Sequence, residues 1–424
     1  MKRFLKGIVV SILARQVYLL RARHDFSVIG VAGGMGKTST KLAIAQTLGK
    51  TLRVRYQDGN YNDLVSVPLI FFGHPMPSLF NPLGWIRLFI DNAKQIRGRY
   101  PFDVVVVELG TDGPGQIAAF EKYLQLDYTV LAAIVPEHMA TFKDIRAVAK
   151  EELAVMNYSE QIIYNADLVP EEYQRSLQGA LSYGIKQPAD YKATGILHST
   201  KGLEGNIEHD GEVLLHFNHE FVSEVQLYSM LAAVILGNEL GLTTTQIRDG
   251  IDAIKPVNGR LQRLHGINDS TIIDDTYHAS PDTVKTGLEM LRSFKAPQKI
   301  AILGNMNDLS DMSMQLHREI GERCDSDWLD LVVTIGPDAN AYLAPAAQAN
   351  GCIVESFDTP YEAGEYLSSR IAQGAVLLAI GSQQNVFAEE AIRPLLADPN
   401  DASKLVRQSQ AWQKRKLVSF RREV

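Results

Sequence analysis

Cysteine is almost missing from this chain. Of 424 residues only Cys324 and Cys352 carry a thiol. That excludes a disulfide framework and a cysteine-built zinc site, and it fits a reducing compartment. Excess positive charge is missing too. Lys and Arg number 42 against 49 Asp and Glu, a formal net charge of −7, which argues against general nucleic-acid affinity. No internal repeat or low-complexity tract is present. The apolar run within residues 1–24 is broken by Arg15 and too short to read as a membrane span, and no small-residue cleavage site follows it, so a signal peptide is not expected. What remains is ordinary: 46% hydrophobic and 21% charged residues, in a length that suits two or three globular domains.

Residues 1–24 depart from that average. Lys2, Arg3, Lys6, Arg15, Arg21 and Arg23 precede the first acidic residue, Asp25, and alternate with Phe4, Leu5, Ile8, Leu13, Val17 and Leu20. Two readings stay open: a basic amphipathic helix lying on an anionic membrane surface, or a helix packed on the first domain.

The stretch 28–49, VIGVAGGMGKTSTKLAIAQTLG, carries the strongest local signal. Val28, Ile29 and Val31 read as a buried strand. Gly30, Gly33, Gly34 and Gly36 allow a tight loop whose backbone approaches a ligand closely. Leu42, Ile44, Ala45 and Leu48 then fall at helical spacing behind Thr38, Ser39 and Thr40. Strand, glycine loop, Lys, Thr and helix together cradle a triphosphate. The N–H groups of the loop and helix start meet phosphate oxygens, Lys37 reaches the β/γ-phosphates, and the Thr38 hydroxyl reaches Mg²⁺. Residues Gly33, Gly34, Met35, Gly36, Lys37, Thr38 and Ser39 are the expected ATP loop. The strict pattern wants a glycine where Val31 stands. An ordinary glycine-rich turn would not call for Lys-Thr in register behind the last glycine.

Further strands are expected at 52–57, 103–110, 128–135 and 161–167, and helices at 85–96, 115–124 and 144–156, with a proline-rich loop at 74–84. Four consecutive valines, Val104 to Val107, suit a parallel strand buried on both faces. Residues 182–218 turn to short alternating segments about Asp210-Gly211, a small antiparallel patch, followed by helices at 223–240 and 243–254. The turn 256–259 marks a boundary. Strands at 271–275, 299–305, 331–336, 352–357 and 375–381 then alternate with helices. The basic tail from Ala402 reads as a solvated terminal helix.

Glu108 and His138 each follow an apolar strand, so both belong at the carboxyl edge of the sheet, where such folds bind ligands. A carboxylate suits Mg²⁺. Imidazole suits softer ions, and spacing alone favours a hydrogen-bonded histidine at a strand end over a metal ligand. Lys150, beside Glu151 and Glu152, reads by itself as an exposed helix lysine.

These pieces, taken in order, resemble a known family. VIGVAGGMGKTST resembles the glycine-Lys-Thr loop of the Mur ligases, ATP-dependent amide-forming enzymes of peptidoglycan precursor synthesis related to folylpolyglutamate synthetase and cyanophycin synthetase. GNYNDLVSVPL, VVVELGTDGPGQIA, EHMATFKDIRAVAKEEL, NGRLQ, IIDDTYHASPD and KIAILGNMNDLSD resemble segments of its MurF subgroup, the UDP-N-acetylmuramoyl-tripeptide–D-alanyl-D-alanine ligases, from about residue 26 to 395. The resemblance implies a catalytic set of Lys37, Glu108, His138 and Lys150. Thr38, Glu108 and His138 would hold Mg²⁺. Lys150 falls where the family carries a carbamylated lysine, in which added CO₂ turns an ammonium into an anionic oxygen ligand. Arg260 would contact phosphate, Asp275 and His278 the nucleotide, and Gln226 stands in the adenine-contact segment. Asn60, Asn62, Asn305 and Asp308 are expected on the substrate side. The sequence also departs from the family. With only about 30 residues ahead of the loop, the family's UDP-sugar domain is not expected there, Asn305 replaces an aspartate, and Gln383 replaces an arginine.

The fold expected is α/β. A P-loop ATPase-type parallel sheet with a small antiparallel patch would occupy residues 26–258 behind a basic helix at 1–25, and a Rossmann-like domain residues 259–424. The activity expected is that of a cytoplasmic ATP- and Mg²⁺-dependent carboxylate–amine ligase working through an acyl phosphate, in peptidoglycan precursor or related cell-wall peptide synthesis. Its partners would be a small-molecule or peptide donor and an amine acceptor, with no nucleic acid, and peripheral membrane contact through residues 1–24. Two alternatives stand beside it: the same chemistry on a lipid-linked or polymeric acceptor, and a nucleotide-binding scaffold without ligase activity.

Overall fold

The computed structural model describes residues 2–57, 59, 61–78, 80–139, 141–199, 202–221, 223–307 and 309–420. They form two compact units, one of residues 1–219 and 224–255, the other of residues 220–223 and 256–424.

The first unit runs α1 (Lys2–Arg21), β1 (Ser27–Ala32), α2 (Lys37–Leu48), β2 (Val54–Arg55), α3 (Ser66–Phe72), α4 (Pro82–Arg97), β3 (Val104–Glu108), β4 (Leu126–Leu131), α5 (Ile145–Leu153), β5 (Ser159–Asn165), α6 (Glu171–Gln174), β6 (Leu181–Gly184), β7 (Tyr191–Ser199), β8 (Gly202–His209), β9 (Glu212–His219), α7 (Glu224–Glu239) and α8 (Thr244–Ile251). One sheet holds its strands in the order β2-β3-β1-β4-β5-β6-β7-β8-β9. Pairing is parallel from β2 to β7 and antiparallel at β7–β8 and β8–β9, so the antiparallel patch extends the parallel sheet. The valines of β3 are buried on both faces, as a central parallel strand requires. Register sets the site: Val31 pairs with Glu108 on one side and Val130 on the other, which brings the ends of β1, β3 and β4 to one edge.

Local sequence explains where this differs from the expectation. Residues 66–72 are helical although rich in β-branched and aromatic residues, because the Asp63 carboxylate accepts the Val65 and Ser66 N–H groups at 3.0 and 2.8 Å and starts a turn whose apolar side chains are all buried. The expected strand at 52–57 shrinks to two residues at the sheet edge. The helix expected at 115–124 is a 3₁₀ segment, Ala118–Lys122, because the buried Glu151 carboxylate takes the Gly115 and Ile117 N–H groups at 2.6 and 2.7 Å.

Of the two readings of residues 1–24, the packed helix is the one observed. Leu13, Val17 and Leu20 are fully buried. Gln16 donates to the Phe89 carbonyl at 2.9 Å, and Arg21 pairs with Asp127 at 3.1 Å. Among the described residues no helix is long and apolar enough to cross a membrane.

The second unit holds β10 (Gln262–His265), β11 (Thr271–Asp275), α9 (Pro281–Ser293), β12 (Lys299–Gly304), α10 (Ser313–Gly321), β13 (Leu331–Ile335), α11 (Ala344–Ala349), β14 (Val354–Phe357), α12 (Pro360–Ser368), β15 (Val376–Ile380), α13 (Glu389–Ile392) and α14 (Gln410–Ser419). Its sheet order is β10-β11-β15-β12-β13-β14, parallel except for the edge strand β10. The five expected strands are there; β10, with Leu264 as its one apolar residue, gave no periodic signal. The tail is helical but not wholly solvated. Lys416 is fully buried and its ammonium lies 2.9 Å from Glu389 and 2.6 Å from Glu390.

Candidate active site

The loop between β1 and α2 is built on glycine. Gly33 has φ +125°, and a Cβ there would lie 2.7 Å from the Ala133 nitrogen of the neighbouring strand end. Gly36, at φ +81°, precedes α2 without capping it by a side chain. The first N–H groups of α2 are therefore left for a ligand, and the helix dipole adds positive potential there. The Gly33 N–H is directed instead to Glu152, at 2.8 Å. Burial pushes the Glu152 carboxyl up to about 7.

Lys37 folds back over this loop. Its ammonium donates to the Gly33 carbonyl at 2.6 Å and lies 3.4 Å from Glu137. Burial alone would lower its pKa, but Glu137, Glu152 and Glu108 outweigh that and hold it above the ordinary lysine value. Thr38 donates to Glu108 at 3.2 Å. The other Glu108 oxygen lies 3.1 Å from the ammonium of Lys41, a lysine of 0% exposure that also donates to the Gly59 carbonyl at 3.2 Å. That Glu108 oxygen has no aligned hydrogen bond, so the contact with Lys41 is an ion pair. Asn62 sits against Gly110, two residues past Glu108: its backbone carbonyl accepts the Gly110 N–H at 2.9 Å, and a Cβ at Gly110 would press on its amide at 2.6 Å. Asn60 lies outside the described residues.

His138 has a left-handed backbone, φ +51°. Its Nε2 lies 3.7 Å from Asp112 and 3.8 Å from Glu137. Among the described residues no group of three His, Cys, Asp or Glu is gathered closely enough to hold a metal, so His138 and Glu108 do not form a ready-made cage. Lys150 is exposed on the last turn of α5, whereas Glu151 and Glu152 point inward. Gln226 lies on the first turn of α7. The next turn of α7 packs on α2, with the Ser229 hydroxyl 3.1 Å from that of Thr40.

In the second unit, the Arg260 guanidinium stacks over the Tyr277 ring, 4.5 Å from its centre, and its Nε is buried without a hydrogen-bond partner. Asp275 ends β11, accepts the Leu261 N–H at 3.2 Å and is pushed up to about 7 by burial, against the pull of Arg260. His278 follows on the same segment, partly buried. The Arg407 guanidinium donates to the Thr276 and Tyr277 carbonyls at 2.6 and 3.1 Å and is paired with Glu389 at 2.5 Å, so the tail holds this segment in place. Asn305 accepts the Ala339 N–H at 2.8 Å and lines a cavity of about 350 Å³ with Asn307, Ser313, Asp338 and Gln384. Asp308 lies outside the described residues.

Sequence reasoning missed Lys41, Glu137, Glu152 and Arg407. Lys41 stands one helical turn after Lys37, a spacing that puts both on one face of α2 and could have singled it out. Nothing in the sequence distinguishes the inward Glu152 from a surface glutamate.

Comparison with known proteins places the chain in a family. Residues 31–237 match the Mur ligase middle domain, and residues 259–383 the Mur ligase, glutamate ligase domain. A UDP-N-acetylmuramoyl-tripeptide–D-alanyl-D-alanine ligase of Bacillus subtilis is 26% identical over 76% of this chain and 65% of its own length. Its counterpart in Synechocystis is 28% identical over 80% and 67%. The chain thus spans about two thirds of the length of these relatives. The MurF ligase of Thermotoga maritima, solved in complex with ADP, superposes with a TM-score of 0.72 at 22% identity, covering 91% of this chain and 83% of that one. The apo folylpolyglutamate synthetase of L. casei gives 0.62 at 16% identity over 91% and 94%. With both of its domain models matched in order across most of its length, the chain belongs to the Mur ligase family.

Proposed function

We propose that this protein is an ATP-dependent carboxylate–amine ligase acting through an acyl phosphate, on a cell-wall peptide precursor of the kind named for its relatives. The observation that carries the reading is the edge formed by β1, β3 and β4. An uncapped helix start, the Lys37 ammonium and the Thr38–Glu108 pair lie there together. A carboxylate oxygen of the donor attacks the γ-phosphorus of ATP and ADP leaves. The amine nitrogen then attacks the acyl carbon, phosphate leaves, and the nitrogen loses a proton. Lys37 exchanges the Gly33 carbonyl for phosphate oxygens, neutralising charge where it builds up.

Thr38 and Glu108 are the proposed Mg²⁺ holders. Their fit rests on hard oxygen donors 3.2 Å apart and on the Glu108 oxygen that lacks an aligned hydrogen bond. Mg²⁺ would supply positive charge for crowded phosphate and carboxylate oxygens. His138 and a carbamylated Lys150 are proposed as further ligands; Lys150, being exposed, is accessible to CO₂. Arg260 is proposed as a phosphate contact on the strength of its unpartnered Nε, with Asp275, His278 and Gln226 as nucleotide contacts. Asn62 and the cavity about Asn305 are proposed for donor and acceptor. The domain division at 258–259 and action in the cytoplasm belong to the same reading.

The test is a screen of UDP-muramoyl peptides and amines for ADP release, with products read by mass. Amide product and ADP in equal amounts are expected. ADP release that no carboxylate or amine stimulates would favour a nucleotide-binding scaffold instead.

A further inference from the structure

The helix α4 has two apolar faces, and only one is used. Trp85, Leu88 and Ile96 are buried with Asn92. On the opposite side Ile86 and Ile90 are 53% and 52% exposed, with Leu83 one turn earlier also in water. Phe80, just ahead of the helix, is 74% exposed. Large aliphatic residues repeated on the outward face of a surface helix mark an interaction site rather than scattered exposure.

The surroundings are basic. Arg87 and Lys94 are exposed on the same helix, and Asp91 is the one acid beside them, 3.3 Å from Lys94. The neighbouring α1, tied to α4 by the Gln16–Asn92 hydrogen bond of 2.7 Å, turns Arg15 and Tyr18 outward, with the guanidinium 5.7 Å from the ring centre. Residues 1–24 hold six basic and no acidic side chains, and residues 74–100 hold four basic and one acidic, in a chain whose net charge is −7. On α1, Lys6 lies 3.3 Å from Asp63 and Arg21 3.1 Å from Asp127, so the cations offered to solvent beside the apolar stripe of α4 are Arg15 on α1 and Arg87 on α4 itself.

We propose that this α4 face docks on an anionic lipid bilayer, its aliphatic residues at the depth of the headgroup–acyl boundary and Arg15 and Arg87 on headgroup phosphates. The charge pattern selects this occupant: a second copy meeting the same face would set cations against cations, whereas an anionic surface complements apolar stripe and cations together. The contact moves from the apolar side of α1, which the core occupies, to α4. It does not depend on the ligase reading.

The test is flotation of the full chain with phosphatidylglycerol–phosphatidylcholine vesicles and with phosphatidylcholine alone. The variants are Ile86→Glu/Ile90→Glu and Arg15→Glu/Arg87→Glu, all at exposed positions, with folding checked by circular dichroism. The wild type is expected to float with the anionic vesicles, less so as salt rises. Each double variant should lose about tenfold or more in partitioning. Wild type that stays down with anionic vesicles, floats equally with neutral ones, or floats unchanged after Ile86→Glu/Ile90→Glu overturns the proposal. A concentration-dependent dimer in sedimentation that Ile86→Glu/Ile90→Glu abolishes, without vesicle binding, assigns the face to a second copy and also overturns it.

Discussion

Replacing Asp274 by asparagine should stabilise the second unit above neutral pH and do little in acid. Asp274 sits in β11 with no exposure. One carboxylate oxygen accepts the Thr276 N–H at 3.0 Å and the Thr276 hydroxyl at 2.6 Å. The other is enclosed with no hydrogen-bond partner. Burial, with a further push from Glu389, outweighs the Thr276 hydrogen bonds and Arg407, and raises the carboxyl from 3.8 to about 6. The folded chain therefore holds this proton more tightly than the unfolded chain. The resulting stability is fully present below 3.8 and is lost as pH rises through about 6. At roughly 1.4 kcal/mol per pH unit, ionised Asp274 costs the fold on the order of 3 kcal/mol at alkaline pH. The amide of Asp274→Asn would keep the acceptor that Thr276 uses and remove the charge, but would leave an N–H where the bare oxygen was, a cost of about 1 kcal/mol. The net expectation is about 1–2 kcal/mol of added stability at about pH 8 and near equality at about pH 4.5. Urea unfolding followed by tryptophan fluorescence measures it, since Trp328 and Trp412 both lie in this unit. A variant destabilised equally at both pH values would show that Asp274 carries no perturbed charge.

Three further outcomes follow from the same geometry. Lys37→Ala should stay folded and lose ATP turnover by about a hundredfold or more, because an ammonium aimed at developing phosphate charge is removed; full turnover in the folded variant would remove the nucleotide site. Lys150→Ala should lose most ligase activity, regain part of it with short carboxylic acids, and lack the carbamate carbon signal that labelled bicarbonate gives the wild type, and near-normal activity would sink the modification. Deleting residues 1–24 should leave an aggregating or unfolded chain, because burying Leu13, Val17 and Leu20 contributes about 1.5–3 kcal/mol each, a sum comparable to the stability of a whole domain. A soluble, cooperatively folding truncation would return α1 to the role of an appendage.

The parallel strands were legible because burial on both faces writes itself as uninterrupted valine, isoleucine and leucine, as in Val104 to Val107 and in 375–381. The glycine loop was legible because its backbone demands glycine at Gly33 and Gly36, where φ is positive. What sequence alone hid are contacts between distant positions. Glu152 meets Gly33 across 119 residues, and Lys41 of α2 meets Glu108 at the end of β3, so neither shows in local spacing. Lys416 looked like one basic residue among many, and only the fold places it between Glu389 and Glu390. The basic and apolar alternation of residues 1–24 is legible as amphipathic without saying what covers its apolar side, and the exposed stripe of α4 shows only once Trp85, Leu88 and Ile96 are seen to occupy the other side.

The proposed chemistry turns on an acyl phosphate, and one measurement reaches it directly. A UDP-muramoyl tripeptide carrying oxygen-18 in its terminal carboxylate is supplied with ATP and D-alanyl-D-alanine, and the released phosphate is weighed. Attack of the carboxylate on the γ-phosphorus passes one labelled oxygen to phosphate for every amide bond made. Labelled phosphate formed in step with amide product is the predicted result. Amide product accompanied by unlabelled phosphate would contradict it.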